Sequence, residues 1–215
     1  MPARIEGILS FWFEDSRSDP ERALAMMARW FEPDPTFDAE IRDRFGSLYQ
    51  EAVAGELSGW EQTARGSLAL IILLDQFSRN IHRGRPQAFA QDAAAQRLCL
   101  DGIEQNLDEM LSPVERGFFY LPLQHAENAH LQDVSVQQYE RLLQQCQSAW
   151  RPLAQGMLDY AREHRDIIRR FGRFPHRNAI LGRQSTPAEQ EFLARGGPDY
   201  GQSGTDQPVR QDCGR

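Results

Sequence analysis

The 215-residue chain contains no lysine, so every basic side chain is an arginine. That absence excludes Schiff-base chemistry at a lysine amine and phosphate capture by a P-loop lysine. Cysteine is scarce. Cys99, Cys146 and Cys213 lie far apart and form no CxxC pair, so neither a disulfide framework nor a zinc knuckle is indicated, and a reducing cytoplasm is the expected setting. No phosphate-cradling glycine loop and no GxSxG elbow occurs, which leaves nucleotide-loop and serine-triad chemistry without a signature. The longest apolar run, Leu68 to Leu74, is far short of a membrane span, and the first residues lack the basic flank and apolar core of a secretion signal. Alternating strand patterns bounded by Asn-Gly or Asp-Gly turns are missing as well, so hairpins are not expected.

Positive charge in excess is also lacking. The net charge is -7 and the isoelectric point is near 5.3, without the basic footprint that nucleic acid or acidic membrane requires. The balance reverses locally, because seven arginines stand between Arg162 and Arg183 against two acids, Glu163 and Asp166. With 40% hydrophobic residues, the chain is long enough to bury a core, and one domain over residues 1–194 is expected. Residues 195–215 are rich in Gly, Asp and Gln. They are expected to form a disordered tail that carries an exposed Cys213.

What is present is helical. A capping residue followed by proline recurs at Asp19-Pro20, Asp34-Pro35, Ser112-Pro113 and Thr186-Pro187, and the last two continue to Glu115 and Glu189 as capping boxes. Apolar residues then recur at spacings of three and four, as in Phe37, Ile41, Phe45, Leu48 and Ala52, and again from Leu153 through Phe171. Pro152 separates the last two long helices and Pro122 kinks another. The fold class is all-α, a bundle or array of about eight or nine helices. Leu68 to Phe77 is apolar on every face and belongs at the centre.

Two stretches echo each other: Asp75-Gln76-Phe77-Ser78-Arg79-Asn80 and Arg173-Phe174-Pro175-His176-Arg177-Asn178, each followed by further arginines (Arg83 and Arg85; Arg183). A carboxylate in a helix's last turn needs a partner, so Asp75 is expected to pair with Arg79 or Arg177 and to bring the two motifs together. A competing explanation makes Asn80 and Asn178 left-handed caps that merely end two helices. Around Pro122 a polar group, Gln124, His125, Glu127 and Asn128, suits a pocket wall. His125 and His130 are five apart, not the four of a zinc-binding HExxH helix, and no other cluster has ligand spacing, so no metal and no cofactor is expected. His164, in an apolar stripe, reads as a core histidine.

The three polar segments carry a resemblance. Leu70 to Phe77 with Arg79-Asn80 and Arg83-Gly84, then Tyr120-Leu121-Pro122 with His125 and Glu127, then Arg170 to Asn178 with Leu181-Gly182-Arg183 and Ser185-Thr186, resemble the bacterial family called domain of unknown function 924, over roughly residues 5–194. Ser78 stands where that pattern leads one to expect Pro, and Gln124 where one expects Met. The resemblance implies an all-helical fold similar to tetratricopeptide (TPR) arrays, although no 34-residue repeat is visible. It implies no activity and no catalytic residue.

The residues themselves suggest a cytoplasmic binding module for an anionic small molecule or peptide, with a phosphate or carboxylate held by Arg79, Asn80, Arg83, Gln124, Arg173, Arg177, Asn178 and Arg183. The alternative is an enzyme with His125 or His176 as general acid or base and Asp75 or Glu127 orienting it. In a third reading the motifs only lock helix ends together.

Overall fold

A computed structural model describes residues 2–202. The chain runs as α1 (Pro2–Phe13), α2 (Pro20–Ala25), α3 (Met27–Phe31), α4 (Pro35–Val53), α5 (Ala64–Ile71), a π-helical turn (Ile72–Phe77), α6 (Ser78–Ile81), α7 (Asp92–Glu104), α8 (Pro113–Gln124), α9 (Ala129–Gln145), α10 (Arg151–Phe171), α11 (Arg177–Ile180) and α12 (Pro187–Ala194), with no strand among the described residues. Helices α1, α4, α5, α7, α8, α9, α10 and α12 each have eight residues or more.

All four capped prolines open helices. Asp19 accepts the N–H groups of Glu21 and Arg22 at the start of α2, and Asp34 those of Thr36 and Phe37 at the start of α4. Glu115 accepts both the N–H and the hydroxyl of Ser112, and Glu189 and Thr186 cap each other reciprocally. Pro152 sits in the first turn of α10, where its missing N–H has no intrahelical partner to lose.

The all-apolar segment is the hub. Every residue from Gly66 to Asn80 is buried, and α5 with its π extension is wrapped by α1, α4, α7 and α8. Around it the aromatic rings interlock. Trp12 meets Phe77 and Phe118 edge-on, and its carbonyl accepts the Trp30 indole N–H at 2.9 Å. Helices α8, α9 and α10 pack on one another on the carboxyl-terminal side.

Three local expectations change. The π turn was not legible from periodicity, and it moves Asp75 out of regular helix. Ser78 N–H reaches back five residues to the Leu73 carbonyl, and its hydroxyl donates to the carbonyls of Asp75 and Ala88. A proline there would forfeit the N–H bond. Secondly, Asn80 and Asn178 are not left-handed caps, since the positive φ angles fall at Gly84 (72°) and Gly182 (64°). Both asparagines use their amides elsewhere. Thirdly, order does not stop at Ala194. Residues 195–202 fold back onto α10, Tyr200 stacks on His164 at 4.1 Å between centroids, and Gln202 is buried. Apolar content misleads here, because one tyrosine and a few backbone bonds are enough to dock this segment. The rest of the expected tail, with Cys213, lies outside the described residues. No described helix is long and apolar enough to cross a membrane.

Candidate functional site

A cavity of about 420 Å³ opens between α3, the π turn, the end of α8, α10, the start of α11 and the returning segment 198–202. Its walls are mainly apolar: Met27, Trp30 and Phe31 on one side, Leu121 and Met157 on another, Phe89 and Phe174 near the arginines. Phe31 and Tyr160, also in the wall, remain well exposed. The size and the mixture of aromatic wall with a few polar groups suit a small organic molecule.

Polar chemistry is concentrated at the edge where the hub meets α8. Asp75 is wholly buried, and its two carboxylate oxygens lie 2.8 and 3.0 Å from His125 Nδ1. A carboxylate only accepts, so Nδ1 carries the proton and Nε2 is left with its lone pair. Nε2 makes no hydrogen bond among the described residues, and the ring, 15% exposed, lines the cavity. Gln76 Nε2 donates to Asp75 at 2.6 Å, and Arg79 Nη1 lies 3.1 Å from its Oδ1 while donating to its carbonyl at 2.7 Å. Burial would raise the Asp75 carboxyl, but Arg79, His125 and Gln76 outweigh it and hold the group well below the usual carboxylate range. For His125 burial dominates and lowers the pKa, with the Asp75 charge opposing.

The circuit closes through Asp92, on the first turn of α7. Arg79 Nη2 is 3.0 Å from its Oδ1, Arg177 Nη1 is 3.1 Å from its Oδ2, and Arg177 Nη2 donates at 3.1 Å to the His125 carbonyl. The Arg177 guanidinium lies between the rings of Phe89 and Phe174, at 4.5 and 4.7 Å. Hence the two echo motifs do meet, but the residue joining Arg177 to the hub is Asp92 and not Asp75. Sequence reasoning missed Asp92 because an acid in a helix's first turn has a sufficient reason to be there.

Two more histidines complete the wall. His164 Nδ1–H donates to the Tyr160 carbonyl at 2.8 Å, and burial drives its pKa well down. It faces the cavity as well as the core. His176 is pushed down to about 3 by burial and by the neighbouring Arg177 charge. Tyr200 covers both, with its hydroxyl donating to Glu163 at 2.7 Å and its ring edge-on to His176. Its φ of 50° is unusual for a tyrosine and is held by those contacts.

The remaining arginines fall elsewhere. Arg79, Asn80, Arg83, Gln124 and Arg177 line the cavity together with His125 and His176, whereas Arg173, Asn178, Arg183, Asp75 and Glu127 are not in its wall. Arg173 forks onto Glu189 and reaches the Gln184 carbonyl. Arg183 forks onto Glu127 at 2.6 and 2.9 Å and bonds Asn178, which in turn holds Ser185. Glu127 also accepts the Phe174 N–H at 2.8 Å. It is therefore a clamp on the second motif and orients neither histidine. Arg83 forks onto Asp38, which also holds Asn80, and donates to the Gly201 carbonyl. No group of three or more His, Cys, Asp or Glu side chains suited to a metal ion occurs among the described residues.

Comparison with known proteins places this geometry in a family. Residues 8–197 match the family described as bacterial protein of unknown function (DUF924). A solved structure of a protein of unknown function, ATU0120 from Agrobacterium tumefaciens, is similar with a TM-score of 0.77 and 38% identity, covering 91% of this chain and 99% of that one. No curated protein matches significantly. With nearly its whole described length matched, the chain belongs to the bacterial DUF924 family.

Proposed function

We infer that the cavity binds a small organic molecule with an apolar or aromatic part, and that His125 acts on it as a general base. The observation carrying this is the pair at the cavity edge: a wholly buried Asp75 fixes the tautomer of His125, with Nε2 free of partners among the described residues. The lowered pKa keeps the ring neutral near pH 7, as a base requires. A π turn at this point fits the reading, because such turns recur at functional sites. Among the described residues the cavity wall includes no Ser, Thr or Cys, so the base has no aliphatic hydroxyl or thiol nucleophile to activate there. It would take a proton from bound water, whose oxygen attacks the ligand, or from the ligand itself. In the hydrolytic case the same proton returns to the leaving group. The unpaired Cys99 and Cys146 suit a reducing, cytoplasmic setting.

The reading as an anion-binding module has narrower support. Arg177 Nε and Gln124 Oε1 are buried without a hydrogen-bond partner among the described residues, and a polar ligand group would satisfy them. Against it, Arg79 and Arg177 are already balanced by Asp75 and Asp92, and Arg83 by Asp38. A carboxylate or phosphate entering there meets no surplus positive charge.

The test is a thermal-shift screen of small organic molecules, followed by assays of chromogenic esters and amides with wild type, His125→Asn and Asp75→Asn. Any turnover found is expected to fall by about 10²-fold or more in both variants. Turnover unchanged in His125→Asn, or an NMR spectrum showing the His125 proton on Nε2, would overturn the catalytic reading.

A further inference from the structure

Behind the cavity wall lies a second pocket of about 290 Å³, lined by Asp38, Arg42, Asn80, Ile81, Arg83 and Arg85. It shares Asn80 and Arg83 with the main cavity. Asp38 and Arg42 come from adjacent turns of α4, and the others from the end of α6 and the turn that follows. Three guanidiniums face one carboxylate here, inside a chain of net charge -7.

The arginines differ in what they have left to give. Arg83 spends its fork on Asp38 and a further N–H on the Gly201 carbonyl. The Arg42 side chain makes a single bond, to the Ile81 carbonyl at 3.3 Å, and the Arg85 guanidinium makes no hydrogen bond or ion pair among the described residues. Nearly every other described arginine is paired. Apart from Arg42 and Arg85, only Arg151 and Arg170 lack an ion pair among the described residues, and Arg170 stacks on Phe171 at 4.7 Å. Two unspent guanidiniums thus converge on one small polar pocket, with Asp38 and Asn80 buried at its base. Their charge is felt nearby, since His82 is lowered by burial and then by Arg85 and Arg42.

We propose that this pocket is a subsite for the phosphate group of a small phosphate monoester. The surplus of two guanidiniums matches a group that carries about -1.5 to -2 charge at pH 7, and planar forks suit its several oxygens better than those of one carboxylate. The anion is thereby assigned to Arg42 and Arg85, outside the cavity whose arginines are already neutralised. The shared wall at Asn80 and Arg83 sets the phosphate beside the aromatic cavity. The subsite does not depend on catalysis by His125.

Inorganic phosphate and phenyl phosphate are titrated into the full chain by calorimetry and by NMR of the arginine side chains. Saturable binding is expected for both. Arg42→Gln and Arg85→Gln should each weaken it about tenfold, and the double variant should abolish it. Arg151→Gln should bind as wild type, and because the binding of inorganic phosphate is read without any turnover, a failure of the catalytic reading leaves this result intact. Melting without phosphate checks that the variants fold, as expected for exposed side chains without ion pairs. Absence of saturable binding, or a double variant that binds as wild type, would overturn the subsite. A phosphoserine peptide binding more tightly than phenyl phosphate would overturn its assignment to a small molecule.

Discussion

Arg79 and Arg177, far apart in sequence, hold the two oxygens of one carboxylate, Asp92, at 3.0 and 3.1 Å. Through that shared acid and the Asp75–His125 pair, the hub, α7, the end of α8 and the start of α11 form one buried circuit. Buried charges of this kind are costly to break singly, because the surviving partner stays out of water. The circuit therefore positions His125 and also couples the site to the stability of the fold.

Asp75→Asn should cost about 3–5 kcal/mol, since Arg79 then keeps only Asp92 as its counter-charge. Guanidinium denaturation with a constant m-value measures this. A loss below about 1 kcal/mol would mean that Asp75 contributes little beyond orienting His125.

Stability should decline on the acid side from about pH 6.5. His125, His164 and His176 are all lowered by burial, so the unfolded chain binds protons more readily than the folded one. Their contribution is complete above the unfolded imidazole value near 6.5 and is lost as pH falls toward the folded values, about 3 for His176. Each imidazole adds up to roughly 1.4 kcal/mol per pH unit within its window. Asp75, lowered in the folded chain, keeps its contribution until pH falls below about 4. Urea midpoints between pH 7.5 and 4.5 read the slope, and His176→Gln should make it shallower. An unchanged slope in that variant would show that His176 does not stay neutral in the fold.

Arg177→Lys should destabilise the chain by about 1–3 kcal/mol. A lysine ammonium cannot at once meet Asp92, reach the His125 carbonyl and keep the contacts of a guanidinium with both Phe89 and Phe174. Thermal melts decide it. A wild-type melting temperature would assign the arginine to ligand contact alone.

Tyr200→Ala should lower the melting temperature by roughly 2–8 °C, from the lost ring stack on His164 and the lost hydroxyl bond to Glu163. Truncation after Ala194 should lower it further, because the Gly201 carbonyl no longer engages Arg83. Truncation with no effect would show that residues 195–202 add nothing to the fold.

Local chemistry made much of the helical framework legible in the sequence. Asp19, Asp34, Ser112 and Thr186 before proline open helices wherever they stand, because satisfying the first free N–H groups is a short-range problem that four or five residues solve among themselves. Leu68 to Leu74 is apolar throughout, so its central position also follows from the sequence. Asp75 beside Arg79 was legible for the same reason, as a one-turn spacing. Which acid joins Arg177, which carboxylate turns His125, and that Glu127 clamps Arg183 instead of orienting a histidine depended on how α7, α8 and α11 come together. Those choices rest on distances between helices, to which periodicity is blind. Tyr200 makes the point most sharply: its neighbours are glycine, aspartate and glutamine, and nothing within reach along the chain tells it to pack. The flat face of His164, presented across α10 by the folded core, decides that instead.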